Sequence, residues 1–379
     1  MITPGDEYPL HLSSRPVRDS GTDRNLYDRF FFNAYSRDLQ TYVAVALGQY
    51  PGRNVMDAAI AVVGLRADGS RVQHNLRASR ILGHDRLATE VGPIRVEILE
   101  PLHRLRVVVA DEASGMHADL TFTSRSAPFE EPHYRWQVGH RVLFDITRMT
   151  QNGSWSGFIE APEIGRVEVD DTAWWGTRDR SWGIRPVGET EAQGAPEHGQ
   201  IPGFYWLWAP MVFEDAGYLF DVNEMPDGRR WHESAMAVTT GGTIDDVAMG
   251  THTYDMPYTP GTRHAAGFTC RLDLPKPWGV VDLEIQPQYP FLMQGIGYTH
   301  PTWGHGTFHG ALATEHDSYD IADADGTVVV DERQYVHQHI QALSKVRRGD
   351  GAEGVGILEQ LIIGPHAPSG LKGLLDFPS

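Results

Sequence analysis

The segment Trp174-Trp175-Gly176-Thr177-Arg178-Asp179-Arg180-Ser181-Trp182-Gly183-Ile184-Arg185 combines three indoles, two glycines, three arginines and a carboxylate in twelve residues. Tryptophan is costly to expose, and its N–H group needs a partner when it is buried. A carboxylate among aromatic rings must be paired or accept a raised pKa. Asp179 is therefore either part of an ion pair with Arg178 or Arg180 that locks a turn, or an acid held in an apolar cavity.

The composition limits the classes of protein and partner. A chain of 379 residues with 41% hydrophobic residues is long enough for two domains with separate cores. The net charge of -18 and the pI near 5.4 argue against nucleic acid or an anionic membrane surface as a partner. The sequence has no long apolar run, and residues 1–18 lack the apolar core of a signal peptide, which predicts no integral membrane segment and a cytoplasmic location. The single cysteine, Cys270, excludes an internal disulfide and is predicted to be a buried, inert thiol.

The distribution of glycine, proline and β-branched residues predicts an all-β fold. Forty glycines and twenty-four prolines divide the chain into short segments rich in Val, Ile, Thr and aromatic residues. Ala67-Asp68-Gly69-Ser70 supplies a hairpin turn between two such segments, and residues 225–228 and 323–326 mark further turns. The predicted strands are Ala58–Leu65, Arg71–Leu76, Gly92–Glu100, Leu102–Ala110, Met116–Ser124, Val142–Met149, Phe204–Phe213, Gly217–Glu224, Arg229–Val238, Phe268–Leu274, Val280–Gln286, Thr307–Ala313 and Val328–His339.

A change in composition near the middle of the chain predicts two domains. Residues 186–202 are rich in Gly, Glu, Gln, Ala and Pro and have no hydrophobic period, which is typical of a linker or loop. We therefore expect an N-terminal β domain over residues 1–190 and a C-terminal β domain over residues 200–379, each an antiparallel barrel or sandwich. Small-molecule pockets often form at such junctions, and the segment 178–185 lies directly before the linker.

The segment around Asp179 also resembles a known superfamily. Residues 175–183 follow the pattern Trp-Gly-x-Arg-Asp-x-Ser-Trp-Gly, and after a gap comes the aromatic strand Phe204-Tyr205-Trp206-Leu207-Trp208. This combination resembles the lipocalin-like proteins that include carotenoid 1,2-hydratase (hydroxyneurosporene synthase), and similar folds are used by fungal natural-product pericyclases. The resemblance implies two lipocalin-like domains in tandem around an apolar cavity, and an activity on isoprenoid or other lipophilic substrates without a cofactor. Arg180 stands where many relatives have His.

A cavity of this kind could support acid catalysis. A carboxylic acid kept neutral by burial can donate a proton, which makes Asp179 the candidate catalytic acid, and Tyr205 is the candidate hydroxyl that orients water. Tryptophan faces attract cations by about 0.5–2 kcal/mol each, so Trp182, Trp206 and Trp208 could form a cage for a carbocation. Strand alternation, however, places Trp206 and Trp208 on one face and Tyr205 on the other, and a packed aromatic core is the alternative for both tryptophans. The candidate substrate-binding residues of this region are Trp175, Arg178, Trp182, Trp206 and Trp208.

A second concentration of polar residues lies in residues 298–310, which contain His300, His305 and His309 and precede Glu315. Three alternatives remain for these histidines: structural hydrogen bonding, metal-free acid–base or positioning chemistry, and a metal site with Glu315 and an open position for water. No recognised zinc spacing such as His-Glu-x-x-His occurs in the run, and the predicted site therefore contains no metal. We expect His305 and His309 as catalytic candidates, with His300 and Trp303 as substrate-binding candidates.

Three functional hypotheses follow from the sequence. The first is a cofactor-independent hydratase, lyase or isomerase that acts on a lipophilic small molecule, with Asp179 as its acid. The second is a carrier that binds such a molecule without turnover, and the third is a hydrolase that uses a histidine-bound metal. The sequence has no strand-to-helix glycine motif for nucleotides and no Gly-x-Ser-x-Gly elbow. A homodimer is the commonest assembly for a protein of this kind.

Overall fold

The computed structural model describes residues 2–11, 23–187 and 203–378. Over these residues the chain forms twenty-two β-strands and five short 3-10 helices, and this confirms the all-β fold class. None of the described helices has the length and apolar character that crossing a membrane requires. The predicted linker at residues 186–202 lies outside the described residues, apart from Pro186 and Val187.

The strands carry the following bounds. The first thirteen are β1 Leu26–Ser36, β2 Tyr42–Tyr50, β3 Val55–Leu65, β4 Arg71–Ile81, β5 Glu90–Val91, β6 Ile94–Glu100, β7 Arg104–Asp111, β8 Met116–Ser124, β9 Phe129–Glu130, β10 Tyr134–Val138, β11 Arg141–Ala161, β12 Gly165–Val169 and β13 Trp174–Ile184. The other nine are β14 Phe204–Val212, β15 Ala216–Glu224, β16 Arg230–Thr239, β17 Ala248–Asp255, β18 Phe268–Asp273, β19 Val280–Leu292, β20 Leu312–Ala322, β21 His339–Arg348 and β22 Glu353–Ile363. The 3-10 helices are Pro4–Glu7, Pro51–Arg53, Ile244–Asp246, Met293–Ile296 and Tyr335–His337.

Strands β1–β13 and β20 form one antiparallel sheet of fourteen strands. Its main path runs β20-β4-β3-β2-β1-β13-β11-β8-β7-β6-β5, while β9, β10 and β12 pair with β11. Side chains such as Phe30, Val45, Leu120 and Trp155 from these strands pack together into one hydrophobic core. Strand β20 joins this sheet through β4, although it lies beyond the domain boundary that we propose near residue 190.

The remaining eight strands close into an antiparallel barrel in the order β14-β15-β16-β17-β18-β19-β21-β22. Eight antiparallel strands in nearly up-and-down order are the arrangement of the lipocalin barrel. A barrel of this size has an interior that side chains can fill. Leu207, Phe220 and Leu283 belong to the core of this barrel. A third core joins barrel residues such as Trp208 to residues such as Phe31 from the first sheet. The two sheets therefore pack against each other.

The structure corrects three local predictions. Most of residues 178–185, predicted as a turn, belongs to the central strand β13, which pairs with both β1 and β11. Most of Thr307–Ala313 is irregular, because β20 begins only at Leu312. Most of Val328–His339 is irregular as well. The Asp331 carboxylate accepts a hydrogen bond from the Arg333 backbone N–H at 3.2 Å, and this contact holds a turn within the segment.

Candidate active site

A cavity of about 530 Å³ lies between the fourteen-stranded sheet and the barrel. Strands β1, β11 and β13 contribute its wall on the side of the sheet, and β14 and β22 contribute the wall on the side of the barrel. Since side chains alternate along a strand, each of these strands presents every second residue to the cavity. The aromatic and aliphatic lining includes Phe31, Phe144, Phe204, Trp206, Leu361 and Ile363.

Alternation along β13 places Asp179 in the wall of this cavity. Asp179 and Ser181 line the cavity, whereas Arg178 and Arg180 project from the opposite face of the strand and are fully buried. The Asp179 side chain retains 15% exposure, and its Oδ2 lies 3.9 Å from Nε of Arg148. Burial raises the pKa of Asp179; Arg148 and the Ser181 hydroxyl lower it, but the pKa stays above its ordinary value.

Arg148, on β11, is the centre of a buried charged network beside Asp179. Its Nε donates to Glu131 Oε2 at 2.7 Å, and its Nη2 donates to both Glu131 and Asp221, the latter at 2.8 Å. Glu131 also accepts a hydrogen bond from the Thr150 hydroxyl at 2.6 Å. Burial raises the pKa of Glu131 to about 7, although Arg148 lowers it. Both carboxylates are thus engaged by protein donors.

Asp221 has two further partners in the barrel. His232 Nε2 lies 3.1 Å from Asp221 Oδ2, and the Ser234 hydroxyl donates to Asp221 Oδ1. Burial acts to raise the pKa of Asp221, but His232 and Arg148 outweigh it and hold that pKa well below its usual range. Asp221 is therefore a fixed negative charge behind the cavity wall, and Asp179 remains the carboxyl with the fewest protein partners.

The two tryptophans of β14 line the cavity, as alternation along that strand requires. Arg148 lies over both indoles, with its guanidinium carbon 5.6 Å from the Trp206 ring centroid and 6.0 Å from that of Trp208. Among the described residues, neither indole Nε1 has a hydrogen-bond partner, although both atoms are buried. Tyr205 projects into the barrel core instead, where its ring stacks on His366 at 4.0 Å.

Arginine and tyrosine side chains form another part of the wall. Arg29 from β1, Arg185 just after β13, and Tyr298 all line the cavity. Behind them His305 is buried, with its Nε2 3.0 Å from the Ile296 carbonyl and with Nη1 of Arg29 2.8 Å from both of its ring nitrogens. Burial and the two arginines hold the pKa of His305 well below its ordinary value. His305 is therefore an uncharged neighbour of the two arginines.

A carboxylate from the barrel completes the polar lining. Glu359 on β22 accepts hydrogen bonds at 2.6 Å from His339 Nε2 and at 2.6 Å from Gln341 Nε2. The His339 ring packs edge-on against Tyr298, with 4.5 Å between the ring centroids. The cavity therefore combines an apolar lining with guanidinium, phenol and carboxyl groups, and it can hold a lipophilic molecule that carries polar substituents.

The sequence matches a family described as a family of unknown function (DUF8625) over residues 2–372. The chain belongs to this family. No curated protein matches it. Neither the family nor the solved structures described next is named as a carotenoid hydratase.

Three solved structures, of two proteins, are similar to this DUF8625 chain over nearly its whole length at low sequence identity. A putative AttH from Nitrosomonas europaea is 12% identical, with a TM-score of 0.49, over 93% of this chain and 98% of that chain. CghA is 10% identical, with a TM-score of 0.47, over 94% of this chain and 95% of that chain. The structure of CghA with Sch210972 is 9% identical, with a TM-score of 0.46, over 94% of this chain and 97% of that chain.

Three motif residues of the DUF8625 chain proposed as substrate-binding lie away from the cavity. Arg178 forms a buried ion pair with Glu7. Trp182 stacks on His11 at 3.6 Å on the far side of β13, so the expected cage of Trp182, Trp206 and Trp208 does not form. The third is Trp175, whose indole ring lies beneath the guanidinium groups of Arg37 and Arg125, at 4.0 and 4.7 Å.

The histidines of residues 298–310 do not share one site. His300 Nδ1 accepts a hydrogen bond from the Trp303 backbone N–H at 2.8 Å, and the Trp303 ring stacks on His309 at 3.8 Å. None of His300, Trp303 and His309 lines the main cavity, and His305 lies behind its wall. Potential ligand atoms of His300, Glu315 and Asp317 do lie within 4.8 Å of one another. Arg77 already donates to Asp317 at 3.0 Å, which opposes a cation at that place.

Sequence reasoning missed most of the charged lining. Arg29 stands in the run Tyr27-Asp28-Arg29-Phe30-Phe31-Phe32, and a lone cation on one face of an aromatic strand is a usable signal of a polar site. Arg148 gives a similar signal between Ile146 and Met149. Glu131 and Glu359 give none, because only the packing of the two sheets brings them to the cavity. The lining residues not anticipated are Tyr27, Arg29, Glu131, Tyr134, Arg148, Tyr298, His339 and Glu359.

Proposed function

We propose that the protein is a cofactor-independent enzyme that isomerises or cyclises a lipophilic small molecule in this cavity, with Asp179 as its proton-transferring group. The observation that carries the proposal is a carboxyl group with a raised pKa in the wall of an aromatic cavity. Groups with shifted pKa values in clefts are frequent at catalytic sites, because proton transfer is fastest when the pKa lies near the working pH.

Asp179 is better suited to this role than the other carboxyls of the network. Glu131 accepts hydrogen bonds on both of its oxygens, and Asp221 is likewise bonded on both oxygens by Arg148, His232 and Ser234. Asp179 has the Ser181 hydroxyl and a longer approach of 3.9 Å to Arg148. Among these three carboxyls, Asp179 is therefore the one with the most capacity left for contact with a ligand atom.

The charges of the cavity favour an anionic over a cationic intermediate. Arg29, Arg148 and Arg185 all line it. A cationic intermediate about 6 Å from one guanidinium group is repelled by about 3 kcal/mol at an effective dielectric constant of about 20. Moreover, Arg148 already lies over the indole faces that a carbocation would use. Hydration through a carbocation, the chemistry of the carotenoid hydratase resemblance, is therefore less suited to this cavity than a reaction that places negative charge on a substrate oxygen.

Such a reaction needs no external oxidant, reductant or water. The Asp179 carboxylate takes a proton from the substrate, which leaves negative charge on a substrate oxygen beside the arginines, and the resulting carboxylic acid returns that proton to another substrate atom, so that the net change is an isomerisation or ring closure. The Nε1–H groups of Trp206 and Trp208, which have no partner among the described residues, are available to donate hydrogen bonds to substrate oxygens. The aromatic part of the lining lowers the local dielectric constant, which strengthens each of these interactions.

The test is conversion of lipophilic metabolites by the wild-type protein and by Asp179→Asn. A lipid-soluble extract of the source organism is incubated with each protein and compared by high-resolution mass spectrometry. We expect the wild type to deplete one compound and form an isomer of identical mass, and we expect Asp179→Asn to bind that compound without converting it. The matched control is Asp145→Asn. Asp145 lies on β11 outside the cavity, and its carboxylate is hydrogen-bonded to His133.

Each other outcome identifies a different function. A product heavier by one water would replace isomerisation by hydration. A compound that co-purifies unchanged with both proteins would identify a carrier. Full conversion by Asp179→Asn would remove Asp179 from the chemistry and overturn the proposal.

A further inference from the structure

We propose that Arg29 and Arg185, with Tyr298, form a subsite for an anionic oxygen group of the ligand, a carboxylate or an equally acidic enol. This inference deepens the function proposed above and rests on it, because it concerns the same cavity. It assigns the ligand a chemical class: an amphipathic organic acid whose charged end binds at the two guanidinium groups.

Arg29 is a buried cation whose hydrogen-bonding capacity is only partly used. The residue is 2% exposed. Its Nη1 lies 2.8 Å from Nδ1 of neutral His305, and its guanidinium carbon lies 4.9 Å from the Tyr298 ring centroid. Its buried Nε has no hydrogen-bond partner among the described residues. A guanidinium group carries five N–H donors, so donors remain for a ligand.

Arg185 approaches the same histidine from the end of β13. Its Nη2 lies 3.4 Å from His305 Nδ1, and its guanidinium carbon lies 4.5 Å from the Tyr27 ring centroid and 5.5 Å from that of Tyr298. The Nε of Arg185 is also buried without a partner among the described residues. Two cations therefore share one neutral acceptor, and each keeps an unused N–H group.

Within residues 2–11, 23–187 and 203–378, no carboxylate lies within ion-pairing distance of either guanidinium. Arg148 in the same cavity shows the contrast, since Glu131, Asp179 and Asp221 all lie within 4.0 Å of it. Asp57 acts on Arg29 only through space, because it accepts from the Gly306 N–H at 2.7 Å and the Tyr50 hydroxyl at 3.3 Å. Burial raises the pKa of Asp57 to about 6, against the lowering effect of Arg29.

The buried guanidinium of Arg29 has no counterion among the described residues, which is unfavourable, and the partly buried Arg185 beside it adds like-charge repulsion. A ligand carboxylate removes this cost and accepts two or more charge-assisted N–H hydrogen bonds, which arginine donates in the plane of the acid. The apolar remainder of the ligand then lies along Phe144, Phe204 and Ile363. This arrangement holds the ligand within the cavity that Asp179 lines.

The test compares two fluorescent probes that differ only in the polar group, 9-anthracenecarboxylate and 9-anthracenemethanol. Binding is measured by fluorescence anisotropy at pH 7. We expect the wild type to bind the carboxylate at least about tenfold more tightly than the alcohol, and added salt to weaken only the carboxylate. In Arg185→Gln the ratio of the affinity for the carboxylate to that for the alcohol should fall to near unity, while the affinity for the alcohol is retained. Arg185→Lys should keep part of the preference for the carboxylate, because the charge remains although the planar guanidinium is lost.

The matched control is Arg71→Gln, which removes the same charge at an arginine that stacks on Tyr289 at 3.7 Å, outside the cavity. It should keep the full preference for the carboxylate. Equal affinity of the wild type for the two probes, absence of carboxylate binding, or an unchanged preference in Arg185→Gln would each overturn the inference. Failure of the subsite leaves the conversion assay with Asp179→Asn unaffected, and failure of that assay leaves the carboxylate preference unaffected, so the two proposals are tested separately.

Discussion

The carboxylate of Glu7 and the guanidinium of Arg178 meet in a two-point ion pair although 171 positions separate them in the chain, with N–O distances of 2.7 and 2.8 Å. Both side chains are fully buried. The pair fixes the N-terminal segment beneath β13, and the same strand presents Asp179 from its other face to the cavity. One strand thus joins a structural ion pair to the candidate catalytic carboxyl.

Loss of one partner of this pair should be severe. We expect Arg178→Met to lower the free energy of unfolding by about 3–5 kcal/mol, because the Glu7 carboxylate is then buried without a counterion. Urea denaturation measures the change. Adding Glu7→Gln to Arg178→Met should restore part of the lost stability, since the unpaired charge is removed.

The control for this prediction is an exposed pair of the same geometry. Arg106 contacts Asp119 at 2.7 and 2.6 Å, with both side chains 37% exposed. Exposed ion pairs contribute little to stability because solvent screens them, so Arg106→Met should have only a small effect. An equal effect of Arg178→Met and Arg106→Met would show that the buried pair does not hold the N-terminal segment.

Asp179→Asn should stabilise the protein at neutral pH. The pKa of Asp179 is raised above 3.8, so above that pH the unfolded chain ionises this group more readily than the folded protein does. The wild type therefore loses stability as the pH rises from 3.8 through the raised pKa, and the Asn variant does not. Thermal unfolding at a series of pH values should show a gap in favour of Asp179→Asn that closes as the pH falls towards 3.8. A destabilised variant at pH 7 would mean that the contact to Arg148 is a structural ion pair.

Arg148→Met should leave the carboxyl groups of Glu131, Asp179 and Asp221 without the cation that they share. Glu131 has a pKa of about 7 with Arg148 present, and the pKa should rise further without it. Stability is then lost as the pH increases, because the buried carboxylates must ionise without a cation. We expect a loss of about 3–5 kcal/mol at pH 8 and a smaller loss at pH 5, measured by urea denaturation. Arg135→Met, which removes an exposed partner of Asp145, should show no such pH dependence.

Local patterns in the sequence predicted the fold class and several strands well. The Asp68-Gly69 hairpin joins β3 to β4, and Gly69 has the positive φ of 87° that such a turn requires. The period of two along β14 placed Trp206 and Trp208 on one face and Tyr205 on the other, which is the arrangement in the structure. These features depend on neighbours in the chain, and the sequence displays them directly.

The composition of the cavity depends on long-range pairing and could not be predicted in the same way. The sequence predicts a turn over residues 178–185, whereas most of this segment belongs to the central strand β13. Its alternate faces have separate partners, Glu7 and Asp28 on one side and Arg148 on the other. No local pattern identifies these partners, since each comes from a distant element of the sheet.

The second glycine of the motif has a backbone role that a substitution can isolate. Gly183 has φ of 129°, and a Cβ at this position would lie 2.0 Å from the carbonyl oxygen of Asp145 on the adjacent strand. We expect Gly183→Ala to lower the free energy of unfolding by about 1–3 kcal/mol beyond the cost of the backbone conformation itself. Gly351→Ala is the matched control, because Gly351 has φ of 92° but no atom within 4 Å of its Cβ position. Urea denaturation of both variants separates the two costs: equal losses would show that the close approach between β13 and β11 relaxes freely, whereas a larger loss for Gly183→Ala would show that this glycine sets the spacing of the strands that carry Asp179 and Arg148.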